Sequence, residues 1–408
     1  MRKSRRRLQG EVDTLTAAPS ISRAQRRFLP VLRTWLGVVE DEEADLARLE
    51  RDSPQVPLVF VPGAPVSQTE QSLFVGREDV AQQLDQDLAT ERPVPLVLLG
   101  QRRLGKSTLV NFLPRLLGTG TRVVARSFQG LSGEELKDQP HRLIELEVQT
   151  ELMKAGLREL ASPPGSSAWS KTLRWLESLE EPLEARQLRL LVAIDEVEGL
   201  ERGIKDGWGD PSFLDFVRAA GDRLLRTRFL LITAQPFSRL GPHWSDRLIS
   251  AQIRRLKPLE EEDARRLLTE PVPNFPDIYP DGGVERLIEA TGCHPYLLQL
   301  TAYQLVQRLN TAQRLKATDD DLTAALDRAL EENNLFQNLW DDFTEAERQL
   351  MAAMARGGDW ETSPTTELNR ARTDLARELY IRKSADEDSW QISVPLFAEW
   401  ICEIGAPS

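Results

Sequence analysis

Cysteine and histidine are both scarce in this sequence. Its 408 residues include only two cysteines, Cys293 and Cys402, and three histidines. Because neither residue type forms a closely spaced cluster, the sequence excludes a zinc motif of paired cysteines, a histidine metal site and a disulfide framework. A chain that needs no disulfides is typical of a reducing compartment, so we expect a cytoplasmic protein.

Long apolar runs and an excess of positive charge are missing as well. No apolar run approaches the about 20 residues that cross a bilayer, so we expect no transmembrane segment. The basic start, residues 1–7, is followed by no apolar core of the kind that signal peptides carry. It is open to two interpretations, a solvated end or a contact with lipid, nucleic acid or a partner protein. A net charge of −12 argues against nonspecific nucleic-acid binding over the whole surface.

The remaining composition, 40% hydrophobic and 28% charged, is ordinary for a globular protein. Along the chain we predict a helical segment over residues 1–52, a proline-rich linker over 53–72, an α/β domain over 73–257, a helical lid over 258–330 and a winged-helix domain over 331–408. In the α/β domain, short apolar strands alternate with helices, which indicates a parallel sheet. The strands are predicted at residues 96–99, 122–127, 188–194, 228–233 and 252–256, with long helices over 139–160 and 169–179.

A glycine-containing loop follows the first of these strands and leads into an amphipathic helix. Gly100 and Gly105 let the backbone curl so that successive N–H groups point at phosphate oxygens. Lys106 adds a positive charge for the β- and γ-phosphates, and the Ser107 hydroxyl can bind Mg²⁺. The helix that starts near Lys106 directs its positive dipole end at the same phosphates. We therefore predict a nucleotide site formed by Gly100, Gln101, Arg102, Arg103, Leu104, Gly105, Lys106, Ser107 and Thr108.

A second strand ends in two carboxylates, Asp195 and Glu196. In a parallel sheet the carboxyl ends of the strands face the ligand crevice. We predict that Asp195 holds the Mg²⁺ ion with Ser107, and that Glu196 orients or deprotonates the attacking water. The structural alternative is that these acids only cap the next helix. In the following strand, Thr233 is the first candidate for a sensor of the γ-phosphate, and Gln235 is the second.

Three motifs occur in a characteristic order: Phe74-Val-Gly-Arg-Glu78, the phosphate loop, and Thr291-Gly-Cys-His-Pro-Tyr-Leu-Leu-Gln299. With them the chain resembles, from about residue 55 to its end, STAND-type ATPases of the AAA+ superfamily, in particular bacterial and archaeal members related to origin-recognition ATPases. The resemblance implies ATP or ADP with Mg²⁺ as ligands and a parallel sheet in the order 5-1-4-3-2. It also implies that Val75 and Gly76 lie against the adenine, and that His294 and Pro295 reach the nucleotide from the lid. Cys293 stands where many relatives carry glycine.

The segment after residue 331 is predicted to form the winged helix that such relatives commonly carry. Phe343 is followed by Thr344 and an acidic first turn, which predicts a capped helix. Two short strands surround a charged turn at residues 386–388, the shape of a wing. A winged helix can bind DNA through its recognition helix, here one with Arg370, Arg372 and Arg377. The acidic turn would repel phosphate, so we favour a packing and switching role over DNA binding.

These features predict a regulatory switch that binds ATP and hydrolyses it slowly. In this hypothesis ATP closes the lid and the winged helix over the α/β domain, and hydrolysis resets them. The expected setting is bacterial signalling or conflict and defence, with partner proteins and nucleotide-dependent self-association as the output. The alternative is a DNA-binding, origin-recognition-like ATPase that reads DNA with the winged helix. A nucleotide-binding scaffold without hydrolysis is a third hypothesis, against which Lys106 and Glu196 argue.

Overall fold

The structure, a computed structural model, describes most of the chain. The described residues are 9, 12, 13, 16, 23–52, 55–67, 70–90, 94–127, 140–160, 163, 168–207, 210–332, 334–358, 365–384 and 389–403. The basic start at residues 1–7 and the acidic turn at residues 386–388 lie outside them. Within the described ranges, no helix is long and apolar enough to cross a membrane.

A long helix, α1 (Arg23–Asp52), precedes the α/β region and contains Pro30. Residues 55–67 follow without helix or strand, as expected for a proline-rich stretch. A short 3₁₀ helix (Gln71–Leu73) and α2 (Glu78–Leu88) then lead to the sheet.

Five parallel strands form the sheet: β1 (Leu96–Leu99), β2 (Thr121–Ser127), β3 (Arg189–Asp195), β4 (Thr227–Thr233) and β5 (Gln252–Arg255). Their spatial order, β2-β3-β4-β1-β5, is the predicted order read from the opposite edge and confirms it. Leu99 pairs with Thr233 of β4 on one side and with Arg255 of β5 on the other. The strand before the phosphate loop therefore lies beside the proposed sensor strand, and β4 separates it from the strand that ends in Asp195.

Helices cover both faces of the sheet, which is why the three central strands, β1, β3 and β4, are almost entirely buried, whereas the edge strands β2 and β5 carry arginines and are only partly buried. Val97 and Leu98, neighbours in β1, belong to two different hydrophobic cores. The helices of this region are α3 (Lys106–Leu116), α4 (Pro140–Lys154), α5 (Trp169–Ala185), α6 (Glu198–Lys205), α7 (Ser212–Arg223), α8 (Phe237–Leu240) and α9 (Pro242–Arg247). The prediction ended α5 at residue 179, but the helix continues past Pro182 because buried Leu183 extends its apolar face into the core.

The chain is mainly helical after β5. The lid region contains α10 (Glu261–Thr269), α11 (Gly283–Thr291), α12 (Pro295–Thr311) and α13 (Asp319–Glu332). It is followed by α14 (Leu335–Asp342), α15 (Glu345–Ala355), α16 (Thr366–Arg377), an antiparallel hairpin of β6 (Ile381–Lys383) and β7 (Trp390–Ile392), and α17 (Pro395–Glu403). One hydrophobic core joins one face of the sheet, the lid and this last part. The winged helix and the exact domain boundaries stay predictions.

The predicted helix start at Thr344 is confirmed in detail. The Thr344 hydroxyl accepts a hydrogen bond from Glu347 N at 3.4 Å, and Glu347 Oε2 accepts one from Thr344 N at 2.8 Å. This reciprocal capping satisfies N–H groups that a helix terminus otherwise leaves without partners.

Gly292 lies where the lid contacts the last part of the chain. Adding a single methyl group at this position should lower the stability of the protein. It ends α11 at φ +55°, and a Cβ there would collide with the carbonyl oxygen of Ser393. We expect Gly292→Ala to lower the free energy of unfolding by about 1–3 kcal/mol, through backbone strain and overpacking.

Gly118→Ala is the matched control for urea unfolding. Gly118 also has a positive φ, +72°, but a Cβ there would meet nothing within 4 Å. The control shares the backbone strain and lacks the collision, so an equal loss of stability in both variants would contradict the packing described at Gly292.

Candidate functional site

The phosphate loop begins where β1 ends and closes on the first turn of α3. Gly105 precedes that helix at φ +90°, a left-handed conformation that glycine adopts without strain. The Lys106 ammonium group lies under the loop and donates hydrogen bonds to the carbonyl oxygens of Gly100 at 2.8 Å and Gln101 at 2.9 Å. The loop is therefore held in a curled form around the N-terminus of α3, where N–H groups and the helix dipole favour an anion.

Lys106 is partly buried in the wall of the cavity. Burial lowers the pKa of Lys106 to about 8, although the carboxylates of Glu198 and Asp195 raise it. A partly buried ammonium group needs compensating negative charge. Phosphate oxygens at the loop would supply that charge.

Ser107 and Asp195 lie side by side, as predicted for a metal site. Ser107 Oγ donates a hydrogen bond to Asp195 Oδ2 at 2.5 Å, and Asp195 Oδ1 accepts one from Glu196 N at 2.9 Å. Burial raises the pKa of Asp195, whereas the hydrogen bond from Ser107 lowers it. A hydroxyl and a carboxylate at this separation are oxygen ligands of the kind that Mg²⁺ prefers.

Glu196 lies next to this pair in a left-handed backbone conformation, with φ +56°. Its Oε2 accepts a hydrogen bond from the hydroxyl of Ser127 at 2.9 Å. Ser127 ends β2, on the far side of β3 from β4. Burial raises the pKa of Glu196, and the hydrogen bond from Ser127 lowers it. The carboxylate is thus held at the edge of the cavity by a residue that sequence reasoning did not identify.

Thr233 ends β4 and is bound by a third carboxylate, Glu198. The Thr233 hydroxyl donates to Glu198 Oε1 at 2.8 Å, and Ala234 N donates to the same oxygen. Sequence reasoning missed Glu198, although the run Asp-Glu-Val-Glu at residues 195–198 was a visible signal. Gln235, the second sensor candidate, donates instead to Asp342 Oδ1 at 3.2 Å.

These side chains line one end of a cavity of about 740 Å³. Of the predicted site residues, the cavity lining contains Val75, Arg102, Arg103, Leu104, Gly105, Lys106, Ser107, Thr108, Asp195, Glu196, Thr233 and Pro295. Gly76, Gly100, Gln101 and His294 are not among the lining residues. The volume is within the about 300–1,000 Å³ of typical small-molecule sites.

His294 lies beneath the phosphate loop rather than in the cavity. Its side chain is buried, and Nε2 is 3.2 Å from the carbonyl oxygen of Arg102. Burial lowers the pKa of His294 to about 3, so the ring is neutral and Nε2 donates this hydrogen bond. Nδ1 has no hydrogen-bond partner within the described part of the chain. His294 therefore links the start of α12 to the loop backbone.

The proline-rich stretch forms the apolar end of the cavity with Val61, Pro65 and Val66. It is fixed to α12, because Val61 N donates to Gln299 Oε1 at 3.2 Å and Val56 N donates to Asn310 Oδ1 at 2.7 Å. Predicted as a linker, this segment is a wall of the site.

Arg103 and Tyr296 close the same end of the cavity. The Arg103 guanidinium lies 4.6 Å from the centre of the Tyr296 ring and donates to the Gly63 carbonyl at 3.2 Å. Tyr296 and Gln299 were not predicted as site residues, although both belong to the motif at residues 291–299. Their contacts depend on the path of residues 55–67, which no local pattern specifies.

A nucleoside triphosphate with Mg²⁺ fits the chemistry of this site. One end offers a partly buried ammonium group, loop N–H groups, a hydroxyl and carboxylates, whereas the other is formed mainly by apolar side chains and Tyr296. Ser107 and Asp195 would hold the metal ion, and Lys106 with the loop would hold the phosphates.

Three acidic residues after the lid contact the loop and the segment after β4; we call Asp342, Glu347 and Glu378 the acidic contact surface. Asp342 Oδ2 lies 2.8 Å from Arg102 Nε. Arg239 Nη2 lies 2.7 Å from Glu347 Oε1 and 3.1 Å from Glu378 Oε1. Burial raises the pKa of Glu378 to about 7, against the lowering effect of Arg239.

Comparison with known sequences gives one family match. The profile of the family described as Novel STAND NTPase 1 matches residues 64–396, which include the loop, the three carboxylates and the acidic contact surface. Among curated proteins the sequence has no significant match.

The solved structures to which this chain is similar have low sequence identity to it. A Walker-type ATPase of Pyrococcus abyssi is 17% identical, with a TM-score of 0.55 over 85% of this chain and 100% of that one. The ORC2 protein of Aeropyrum pernix, solved in ADPNP and ADP complexes, is 11% identical, with a TM-score of 0.48 over 86% and 99%. The Holliday-junction branch-migration motor RuvB of Thermotoga maritima is 14% identical, with a TM-score of 0.40 over 82% and 96%.

Proposed function

The chain belongs to the Novel STAND NTPase 1 family, and from this premise we propose that it is a regulatory ATPase whose lid and C-terminal part respond to the bound nucleotide. The observation that carries the proposal is the convergence of five side chains at one end of a single cavity. Lys106, Ser107, Asp195, Glu196 and Thr233 come from three different segments and all line it. That set supplies phosphate binding, metal binding, a base and a sensor.

Hydrolysis would use these residues in separate roles. The loop and Lys106 would hold the phosphates in place, and a Mg²⁺ ion held by Ser107 and Asp195 would neutralise charge that develops on them. Glu196 accepts a proton from water positioned beside the terminal phosphate, because its carboxylate lies at the cavity edge and is kept in place by Ser127. Thr233 and Ala234 N would face the γ-phosphate after release from Glu198.

The acidic contact surface supports a link between nucleotide and conformation. Arg102 lines the cavity and also pairs with Asp342, whereas Leu335 and Asn338 of the same helix, α14, line the cavity directly. Arg102 and α14 therefore connect the cavity to the acidic contact surface, and linkage requires that any effect of the nucleotide on α14 is matched by an equal effect of α14 on nucleotide binding. We infer that ATP closes this part of the chain over the nucleotide and that hydrolysis weakens the closure.

Asp342→Asn tests this link. The variant removes the charge that pairs with Arg102, so we expect a nonhydrolysable ATP analogue to dissociate about fivefold faster, the effect of losing about 1 kcal/mol. Stopped-flow release of a fluorescent form of that analogue measures the rate.

Asp341→Asn is its control, because Asp341 is the exposed neighbour on the same helix and pairs with Gln337 at 2.8 Å instead. Equal release rates for both variants and the wild type would show that the acidic contact surface does not retain the nucleotide.

DNA binding remains the less favoured function. The predicted recognition helix α16 places Arg370 and Arg377 within 3.9 Å and 3.7 Å of Asp374. That carboxylate reduces the positive charge available to phosphate groups. The family resemblance also suggests signalling or defence as the setting, and partner proteins and nucleotide-dependent self-association as the output. These remain proposals.

A further inference from the structure

Helix α1 carries a stripe of exposed large apolar side chains. Phe28, Val31, Trp35 and Val38 are 63%, 44%, 59% and 55% exposed. Their spacing of three, four and three residues places all of them along one side of the helix. Single exposed apolar residues are ordinary, but a contiguous stripe with two aromatic rings is typical of an interaction surface.

The adjoining side of α1 is covered by its own chain. Leu36 is buried, and Leu29, Leu32 and Val39 are partly buried. Arg33 Nη2 also lies 3.5 Å from the Thr16 hydroxyl, so Thr16 lies against the helix. The stripe is therefore the part of the apolar surface that this chain leaves exposed.

The distribution of charged residues along α1 indicates which partner is complementary to the stripe. Arg27 and Arg33 lie in its first half, and Glu40, Asp41 and Glu42 lie in its second; all five are exposed. A helix with this order of charges is complementary to a copy of itself that runs in the opposite direction. An anionic lipid surface would be repelled by the second half.

The heptad positions agree with an antiparallel pair. If Val31 lies opposite Trp35 of the partner subunit, Phe28 lies opposite Val38 of the partner subunit, and the apolar stripe covers itself. In that register Arg27 and Asp41 both fall on the flanking position of the heptad that pairs across antiparallel helices. Two Arg27–Asp41 pairs then flank the apolar contact, one at each end.

We propose that α1 joins two copies of this chain in an antiparallel, two-fold symmetric helix pair through Phe28, Val31, Trp35 and Val38. The contact is isologous, because the same stripe serves both copies. It uses no residue of the nucleotide site, so it is independent of the proposed function.

Sedimentation equilibrium of the full chain without nucleotide tests the proposal. We expect a dimer, and we expect Trp35→Ser to raise the dissociation constant at least about thirtyfold, since each dimer loses two central aromatic contacts. Ile249→Ser is the control, because Ile249 is 85% exposed outside α1 and should leave the constant unchanged. Lys106→Ala should also leave it unchanged.

A charge exchange tests the direction of the helices. Arg27→Glu and Asp41→Arg should each weaken the dimer about fivefold. A mixture of the two variants should restore the wild-type constant, because every flanking pair in the mixed dimer is again of opposite charge. In a parallel pair each position would face its own copy, so neither single variant would weaken the dimer and the mixture would associate more tightly than the wild type.

Three results would overturn the proposal. The first is a chain that stays monomeric at about 50 µM, and the second is an association that Trp35→Ser does not affect. The third is a monomer that binds vesicles of anionic phospholipid through Trp35, which would assign the stripe to a membrane surface instead.

Discussion

Lys106→Ala is expected to weaken binding of ATP and ADP by about a hundredfold or more, the effect of removing one partner of a buried charge pair. Lys106 is the ammonium group around which the loop is folded, with two loop carbonyl oxygens as its partners. Without it the phosphates lose their buried positive charge, and the loop loses two hydrogen bonds. Calorimetric titration with each nucleotide and Mg²⁺ measures the loss.

Lys205→Ala is the control for a lost positive charge. Its side chain is 65% exposed at the end of α6 and pairs with Glu201. This variant should bind nucleotide as the wild type does. If Lys106→Ala retained wild-type affinity, the loop would not be the phosphate site, and this result would contradict the proposed ATPase function.

Glu196→Gln is expected to reduce ATP hydrolysis by about 10²–10⁴-fold, the usual contribution of a positioned general base. The amide keeps the size of the carboxylate but cannot accept a proton from water. Because Glu196 lies beside Asp195 and not in the phosphate loop, ATP binding should persist. The variant should therefore accumulate as the ATP-bound form, measured as unhydrolysed nucleotide released on denaturation in a single-turnover reaction.

Glu181→Gln provides the control, since Glu181 is exposed on α5. Ser127→Ala should reduce turnover less than Glu196→Gln, because it removes only the hydrogen bond that positions the carboxylate. Unchanged turnover in Glu196→Gln would remove this residue from the mechanism and would favour a scaffold that binds nucleotide without hydrolysis.

Local patterns predicted the parts of the site that lie next to one another in sequence. The phosphate loop needs a strand, two glycines, a lysine and a serine in one continuous segment, and each of these can be recognised in the sequence. The order of the strands was predicted from the family resemblance, and the pairing of Leu99 with Thr233 confirms that β1 and β4 are neighbours. Asp195 was predicted at the ligand edge of the sheet because the carboxyl ends of parallel strands share one edge, and it does lie at the carboxyl end of β3.

Contacts between distant segments could not be predicted in this way. Residues 55–67 contain prolines that indicate an extended chain, but only the hydrogen bonds to Gln299 and Asn310 make that chain a wall of the cavity. His294 was expected at the nucleotide, and the structure places it under the loop, where its neutral ring binds the Arg102 carbonyl. In the sequence, Glu198 resembles an ordinary acidic residue in the first turn of a helix, and only the fold brings it to Thr233.

Hydrogen–deuterium exchange of the full chain, with ADP or a nonhydrolysable ATP analogue plus Mg²⁺, tests whether this protein is a nucleotide-driven switch. We expect both nucleotides to slow exchange in the phosphate loop at residues 100–108. We also expect the ATP analogue to slow exchange in α14 more than ADP does, because that helix lines the cavity and contacts Arg102 through Asp342. Exchange in the loop that does not change with nucleotide would contradict nucleotide binding at this site. A protected loop with identical exchange in α14 for both nucleotides would contradict the switch.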